Sequence, residues 1–307
     1  MAEPWVDEWC ARELGARPAE VLFAESEMAD VVGVRLEDGR EIVVKRRVDE
    51  QGRALTCVEV QRALADDGFS CARPLTPAVV RDGFAIHAEQ WRPGGTLLRG
   101  DSPEVAERYA TVLADLMGRL GRLDLGRLTA PLPNPEWVRW NHEGPGPFAP
   151  NPRHDARVAL VTLPAWIDAT ARRVQQRLTR SSLPCVIGHA DWEAQNLRFD
   201  GGGIKVVHDW DSLAWLPEAA VAGAAAGAFA SAEIPTVAPL ESSAAFLVAY
   251  QRSRGRAFTQ EETEIAWAAG LWPALHNARA QTLWGQDPVA LPALAAQVDA
   301  RLRLANA

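Results

Sequence analysis

Val186-Ile187-Gly188-His189-Ala190-Asp191-Trp192-Glu193-Ala194-Gln195-Asn196-Leu197-Arg198-Phe199 and, beyond a Gly201-Gly202-Gly203 turn, Ile204-Lys205-Val206-Val207-His208-Asp209-Trp210-Asp211 decide the reading of this chain. Leu197-Arg198-Phe199 and Ile204 to Val207 have strand character. The Asp200 and glycine turn between them tolerates the positive φ of a tight hairpin. A carboxylate, an amide and a second carboxylate are thereby placed around one hairpin.

Phosphoryl transfer from a nucleotide needs such a set: a base for the acceptor hydroxyl's proton, and hard oxygen ligands that hold Mg²⁺ against the β- and γ-phosphates. Asp191 fits the base, and Asn196 with Asp209 the metal ligands. Taking His189, Asp191 and His208 as a two-histidine, one-carboxylate iron site demands an all-β barrel, and the rest of the pattern is largely helical.

His189 to Asn196 resembles, at every spacing, the His-Gly-Asp-x-x-x-x-Asn signature of the aminoglycoside phosphotransferase family of small-molecule kinases, and Val207-His208-Asp209-Trp210 resembles its later Ile-Asp-Trp/Phe. Ala190 stands where that signature has Gly, Glu193 where the family often has His, and Val221 where it often has a structural Asp. The resemblance implies an α+β, bilobal, protein-kinase-like fold: a small antiparallel-sheet lobe over residues 1–92, and a mainly helical catalytic and substrate-binding lobe over 93–307. It implies ATP (or GTP) and Mg²⁺ as cofactors. The implied activity is ATP-dependent phosphorylation of a hydroxyl on a small molecule, an aminoglycoside-like or other natural-product antibiotic. A kinase of a housekeeping metabolite such as an amino sugar or amino alcohol is the alternative, and a catalytically inactive nucleotide-binding protein a third reading.

Lysine usage gives an independent pointer. Among 32 basic residues only Lys45 and Lys205 are lysines. Lys45 ends the strand-like run Glu41 to Lys45, which follows Val31 to Leu36 across a Glu37-Asp38-Gly39-Arg40 turn. A kinase places there the lysine that meets the α- and β-phosphates, as a point charge that the planar Arg fork replaces poorly. Glu59, fourteen residues on in a segment of helical spacing, is predicted to pair with it. Ser26, in the glycine-free segment 24–30, is a candidate phosphate contact. Residues 88–95 read as the hinge, so Glu89 and Trp91 are expected at the nucleotide base.

Around the acceptor, Asp211, Glu193, Trp192 and Glu218 are the candidate contacts, with Glu261, Glu262 and Glu264 as further partners for an ammonium group. Residues 129–155 carry seven prolines, and Trp137, Trp140 and His142 there suit contact with a ring. A formal charge of −8 argues against a nucleic-acid surface and is compatible with a cationic substrate. No apolar run is long enough to span a membrane, the first residues are acidic, and the four cysteines match neither a zinc site nor a disulfide framework. A cytoplasmic enzyme with reduced thiols is expected.

Overall fold

The computed structural model describes residues 3–26, 29–49, 51–124, 132–140 and 162–307. The chain divides into two units, the first formed by Met1–Gly95, Lys205–Asp211 and the described ends of Leu123–Leu132, the second by the remainder.

In the first unit, helix α1 (Pro4–Leu14) precedes an antiparallel sheet of order β1-β2-β3-β5-β4: β1 Pro18–Ser26, β2 Asp30–Leu36, β3 Glu41–Val48, β4 Val79–Arg81 and β5 Phe84–Gln90. Alternation along the strands sorts its two faces. Val32, Val34, Leu36, Ile42, Val44 and Ala88 turn one way and form a core with Val6, Trp9 and Cys10 of α1. Residues of opposite parity, Lys45, Arg47, His87 and Glu89, share the other face, where Cys57, Val58 and Gln61 of α2 (Ala54–Asp66) line the same enclosed space as Lys45, Arg47 and His87. Gly33 lies on that face too, and a Cβ there would sit 2.1 Å from the Phe23 ring, so only glycine lets β1 cross so closely. The β4–β5 turn is Asp82-Gly83 with φ of 52° and 79°, the paired positive values of a type I′ hairpin.

Sequence phase misplaces one element. The hinge predicted over 88–95 begins later, because Ala88 to Gln90 are still strand, paired with β3 as Val43 opposite Glu89 and Ile42 opposite Gln90.

In the second unit, α3 (Pro103–Leu120) starts where Ser102 and Pro103 predict, with the Ser102 hydroxyl accepting from the Val105 N–H at 3.4 Å. Strand β6 (Cys185–His189) pairs antiparallel with β9 (Leu213–Pro217). The predicted hairpin of β7 (Leu197–Asp200) and β8 (Gly203–Val207) is present, with Lys205–Val207 of β8 belonging to the first unit. The rest is helical: α4 Ala165–Thr179, α5 Glu218–Ala228, α6 Leu240–Arg254, α7 Gln260–Trp284, α8 Ala290–Ala295 and α9 Val298–Ala305. Alanine and glycine let α5 and α7 touch backbone to backbone; a Cβ on Gly223 would lie 2.0 Å from the Ala266 carbonyl oxygen. Val221 packs into the space above Gly188, where a Cβ would be 2.7 Å from its methyl. An apolar contact thus occupies the position at which the resemblance implies an aspartate.

Most of 129–155, His142 included, lies outside the described residues. Its described part does not present a ring-binding face at Trp140, which is buried edge-on against Trp272, while the Trp272 indole donates to the Trp137 carbonyl at 2.6 Å. All four cysteines are free, and burial pushes the Cys10 thiol up to about 11 and Cys71 to about 12, as expected of inert packing groups.

Candidate active site

In the second unit β6 delivers the chain to a tight loop. His189, fully buried, accepts the Asp191 backbone N–H on Nδ1 at 3.3 Å and meets the Trp192 ring edge-on, so it fixes the loop's shape. The Ala190 N–H bonds the Ser212 carbonyl at 2.9 Å, tying the loop to the start of β9. A one-turn 3₁₀ helix, Ala194–Asn196, then brings Asn196 back over Asp191. The Asn196 amide Nδ2 donates to the Asp191 carboxylate at 2.8 Å and to its carbonyl at 3.0 Å. With Nδ2 committed, the Asn196 amide oxygen is the group left to act as a hard donor toward a cation.

In the first unit, Val207 forms a parallel bridge to Cys71, and its N–H bonds the Ser70 carbonyl at 2.8 Å. Two residues later Asp209 has φ 61°, left-handed backbone that a non-glycine residue holds at a cost and that commonly marks a functional turn. The indole of Trp210 locks the turn by donating to the Val207 carbonyl at 3.0 Å, its ring edge-on to Phe69. A carboxylate suits a divalent cation, and the turn fixes where Asp209 starts.

Lys45 lies on the polar face of the same unit, and its partner differs from the sequence expectation. Its ammonium contacts Glu89 at 2.8 Å, not Glu59. Glu59 is exposed because α2 buries the stripe Cys57, Val58, Gln61 and Leu64. Glu89 correspondingly is no hinge residue at the nucleotide base. It is 3% exposed, accepts from Gln61 Nε2 at 2.9 Å and lies 3.8 Å from His87 Nε2.

Burial works against the Lys45 ammonium, yet Glu89 and Asp211 hold its pKa above the ordinary lysine value. Burial likewise opposes the Glu89 carboxylate, and the Lys45 ammonium holds it well below the usual range. His87 is kept neutral because burial pushes its pKa down. Beside this pair Arg47 meets Asp211 at 2.5 Å; burial opposes that carboxylate, and Arg47, Lys45 and the Asp209 side chain together hold it well below the usual range.

Several predicted contacts are therefore spent internally. Asp211, proposed as an acceptor contact, is the counter-ion of Arg47. Trp192 is 1% exposed and donates to the Tyr109 carbonyl, so it is core. Glu193 is buried and accepts from Gln195 Nε2 at 2.9 Å. Glu218 is held by Arg254 at 2.8 Å and by the Tyr250 hydroxyl at 2.7 Å. Glu262 pairs with Arg256 and closes the Thr259 capping box of α7, Glu264 pairs with Arg177, and Glu261 accepts from Ser181. Ser26 directs its hydroxyl to Asp30 across the β1–β2 turn at 2.7 Å, the role of a turn cap. Trp91 follows β5, half-buried and tilted against Phe23 with ring centroids 6.4 Å apart. Sequence reasoning missed Arg47, Gln61 and Phe23; strand parity with Lys45 was the signal for Arg47.

Residues 22–220 match the phosphotransferase enzyme family, and the chain belongs to it. The fold is that of solved kinases at low identity. An amicoumacin kinase in complex with AMP-PNP, Ca2+ and Ami is 14% identical with a TM-score of 0.66, covering 100% of this chain and 92% of that one. A thermostable mutant of an aminoglycoside phosphotransferase with ADP and hygromycin B is 15% identical at TM-score 0.58, over 98% and 99% of the two chains. A spectinomycin phosphotransferase with ADP and spectinomycin is 10% identical at 0.54, over 99% and 94%. No curated protein sequence matches the chain.

Proposed function

We propose that this phosphotransferase moves the γ-phosphoryl group of ATP, carried with Mg²⁺, onto a hydroxyl of a small molecule, with Asp191 as the base. The observation that carries the reading is the Asp191–Asn196 pair. One hydrogen bond from Asn196 orients the carboxylate and the other anchors the amide on the Asp191 carbonyl, so the carboxylate is ready to receive the acceptor's proton as the new O–P bond forms. Asn196 through its amide oxygen and Asp209 through its carboxylate would hold the metal, which supplies charge neutralisation of the transferring group. Lys45 supplies a fixed positive charge for the α- and β-phosphates, and Trp91 with Phe23 an aromatic flank for the base.

For the acceptor we propose a natural-product antibiotic hydroxyl. The reading is supported by the family and by solved structures of the same fold that hold hygromycin B and spectinomycin. The pairing of Glu218, Glu262 and Glu264 with arginines favours a second reading, in which the acceptor is a metabolite of low positive charge. Among the described residues no helix is long and apolar enough to cross a membrane. Nucleotide turnover measured across both compound classes, with mass detection of the phosphorylated product, tests the proposal. Product is expected with wild type and not with Asp191→Ala.

A further inference from the structure

We infer that Glu89, a strand residue, positions Lys45 for the nucleotide phosphates, and that helix α2 contributes to the pair only through the amide of Gln61. The inference rests on the assignment of Lys45 as the phosphate-contacting lysine. Three observations carry it. Glu89 Oε1 meets the Lys45 ammonium at 2.8 Å, while Oε2 accepts from Gln61 Nε2 at 2.9 Å, so both carboxylate oxygens are occupied. Gln61, 1% exposed, also donates from Nε2 to the Ala72 carbonyl at 2.7 Å; two acceptors on one nitrogen fix the amide's orientation. The one acidic residue in the middle of α2, Glu59, points to solvent.

The origin of the arrangement is register. β3 and β5 are hydrogen-bonded neighbours with Lys45 opposite His87 and Val43 opposite Glu89, which sets Lys45 and Glu89 diagonally on one face. A carboxylate on the helix would make the lysine's placement depend on where the helix sits. A carboxylate on the adjacent strand makes the pair part of the sheet, formed before nucleotide arrives. The neighbouring cation does not compete for Glu89, because Arg47 is matched by Asp211. Gln61 then serves as a neutral donor that locks the carboxylate rotamer without adding a second negative charge beside it.

The test is a double-mutant cycle read by displacement of a fluorescent ATP analogue with Mg·ATP, which needs no acceptor, alongside thermal melting of each protein. Glu89→Gln is expected to weaken Mg·ATP about 10- to 100-fold, Gln61→Met a few-fold, and Glu59→Gln not at all. In a Lys45→Ala background the first two losses are expected to vanish, because a positioning residue acts only through the group it positions. Wild-type affinity in Glu89→Gln, or an equal loss in the Lys45→Ala background, would overturn the inference. If Glu89→Gln does not fold, Glu89→Asp carries the same cycle, since it keeps the charge and shortens its reach. Wild-type affinity in Lys45→Ala alone would instead overturn the lysine assignment, and with it the underlying reading.

Discussion

The Asp191 loop and the Lys45 face are held in place by opposite routes. In the loop the partners of the carboxylate are local: His189, Asp191 and Asn196 lie within eight residues and are joined by hydrogen bonds between neighbours. On the sheet the partner is remote in sequence: Lys45 is matched by Glu89 through the register of two strands, and Arg47 by Asp211 from a segment far along the chain. In the loop Asp191 and Asn196 are half-buried and the carboxylate is held by an amide. The sheet face is largely buried and its charges are held by opposite charges, where removing one partner strands the other.

That difference is broken most severely at the proposed metal ligand. Asp209→Ala should reduce Mg·ATP-dependent turnover by about 10³-fold, in the range seen when a preorganised electrostatic group is removed. Calorimetry should show weakened nucleotide binding only when Mg²⁺ is present. Equal affinity with and without Mg²⁺ in both proteins would remove Asp209 from the metal site.

Next in size is the stability of the buried pair. Glu89→Ala should destabilise the protein by about 3–5 kcal/mol, the cost of an uncompensated buried charge, whereas Asn196→Ala in the half-buried loop should cost about 1 kcal/mol. The Glu89 carboxyl titrates lower in the folded state than its ordinary 4.5, so its stabilisation is present above that value and is lost as pH falls toward the folded value. Lys45 titrates higher than its ordinary 10.5, so its stabilisation is present below that value and is lost as pH rises past it. Denaturant melts from about pH 5 to pH 10 should show a constant gap between wild type and Glu89→Ala that narrows outside the window.

The two lysines supply the smallest and sharpest contrast. Lys45→Arg should lower turnover by roughly tenfold or more at unchanged melting temperature, because the guanidinium fork does not fit where an ammonium meets Glu89. Lys205→Arg should be silent in both measurements. Equal behaviour of the two variants would show that Lys45 is an ordinary charge.

How far the chain could be read follows the same division. The loop and its hairpin were legible because spacing within about 25 residues fixes them, as were β2, β3 and α3, marked by the Gly39 and Ser102 signals. The lysine's partner was not. The fourteen-residue spacing from Lys45 nominated Glu59, but the buried face of α2 carries Gln61 and leaves Glu59 exposed. Glu89 looked like hinge because nothing in its neighbourhood reveals that β5 runs on to Gln90; only pairing with β3 does. The acidic residues nominated for a cationic acceptor failed similarly, since their arginine partners, Arg254 for Glu218 and Arg177 for Glu264, lie 36 and 87 residues away.

The central claim is that Asp191 receives the acceptor's proton. The direct measurement is the rate at which Asp191→Asn forms the phosphorylated acceptor, a variant that keeps the shape of the side chain and its contact with Asn196, with Mg·ATP affinity measured on the same preparation. A fall in kcat of about 10²–10⁴ at near wild-type nucleotide affinity is the predicted result. Wild-type turnover by Asp191→Asn would contradict the account.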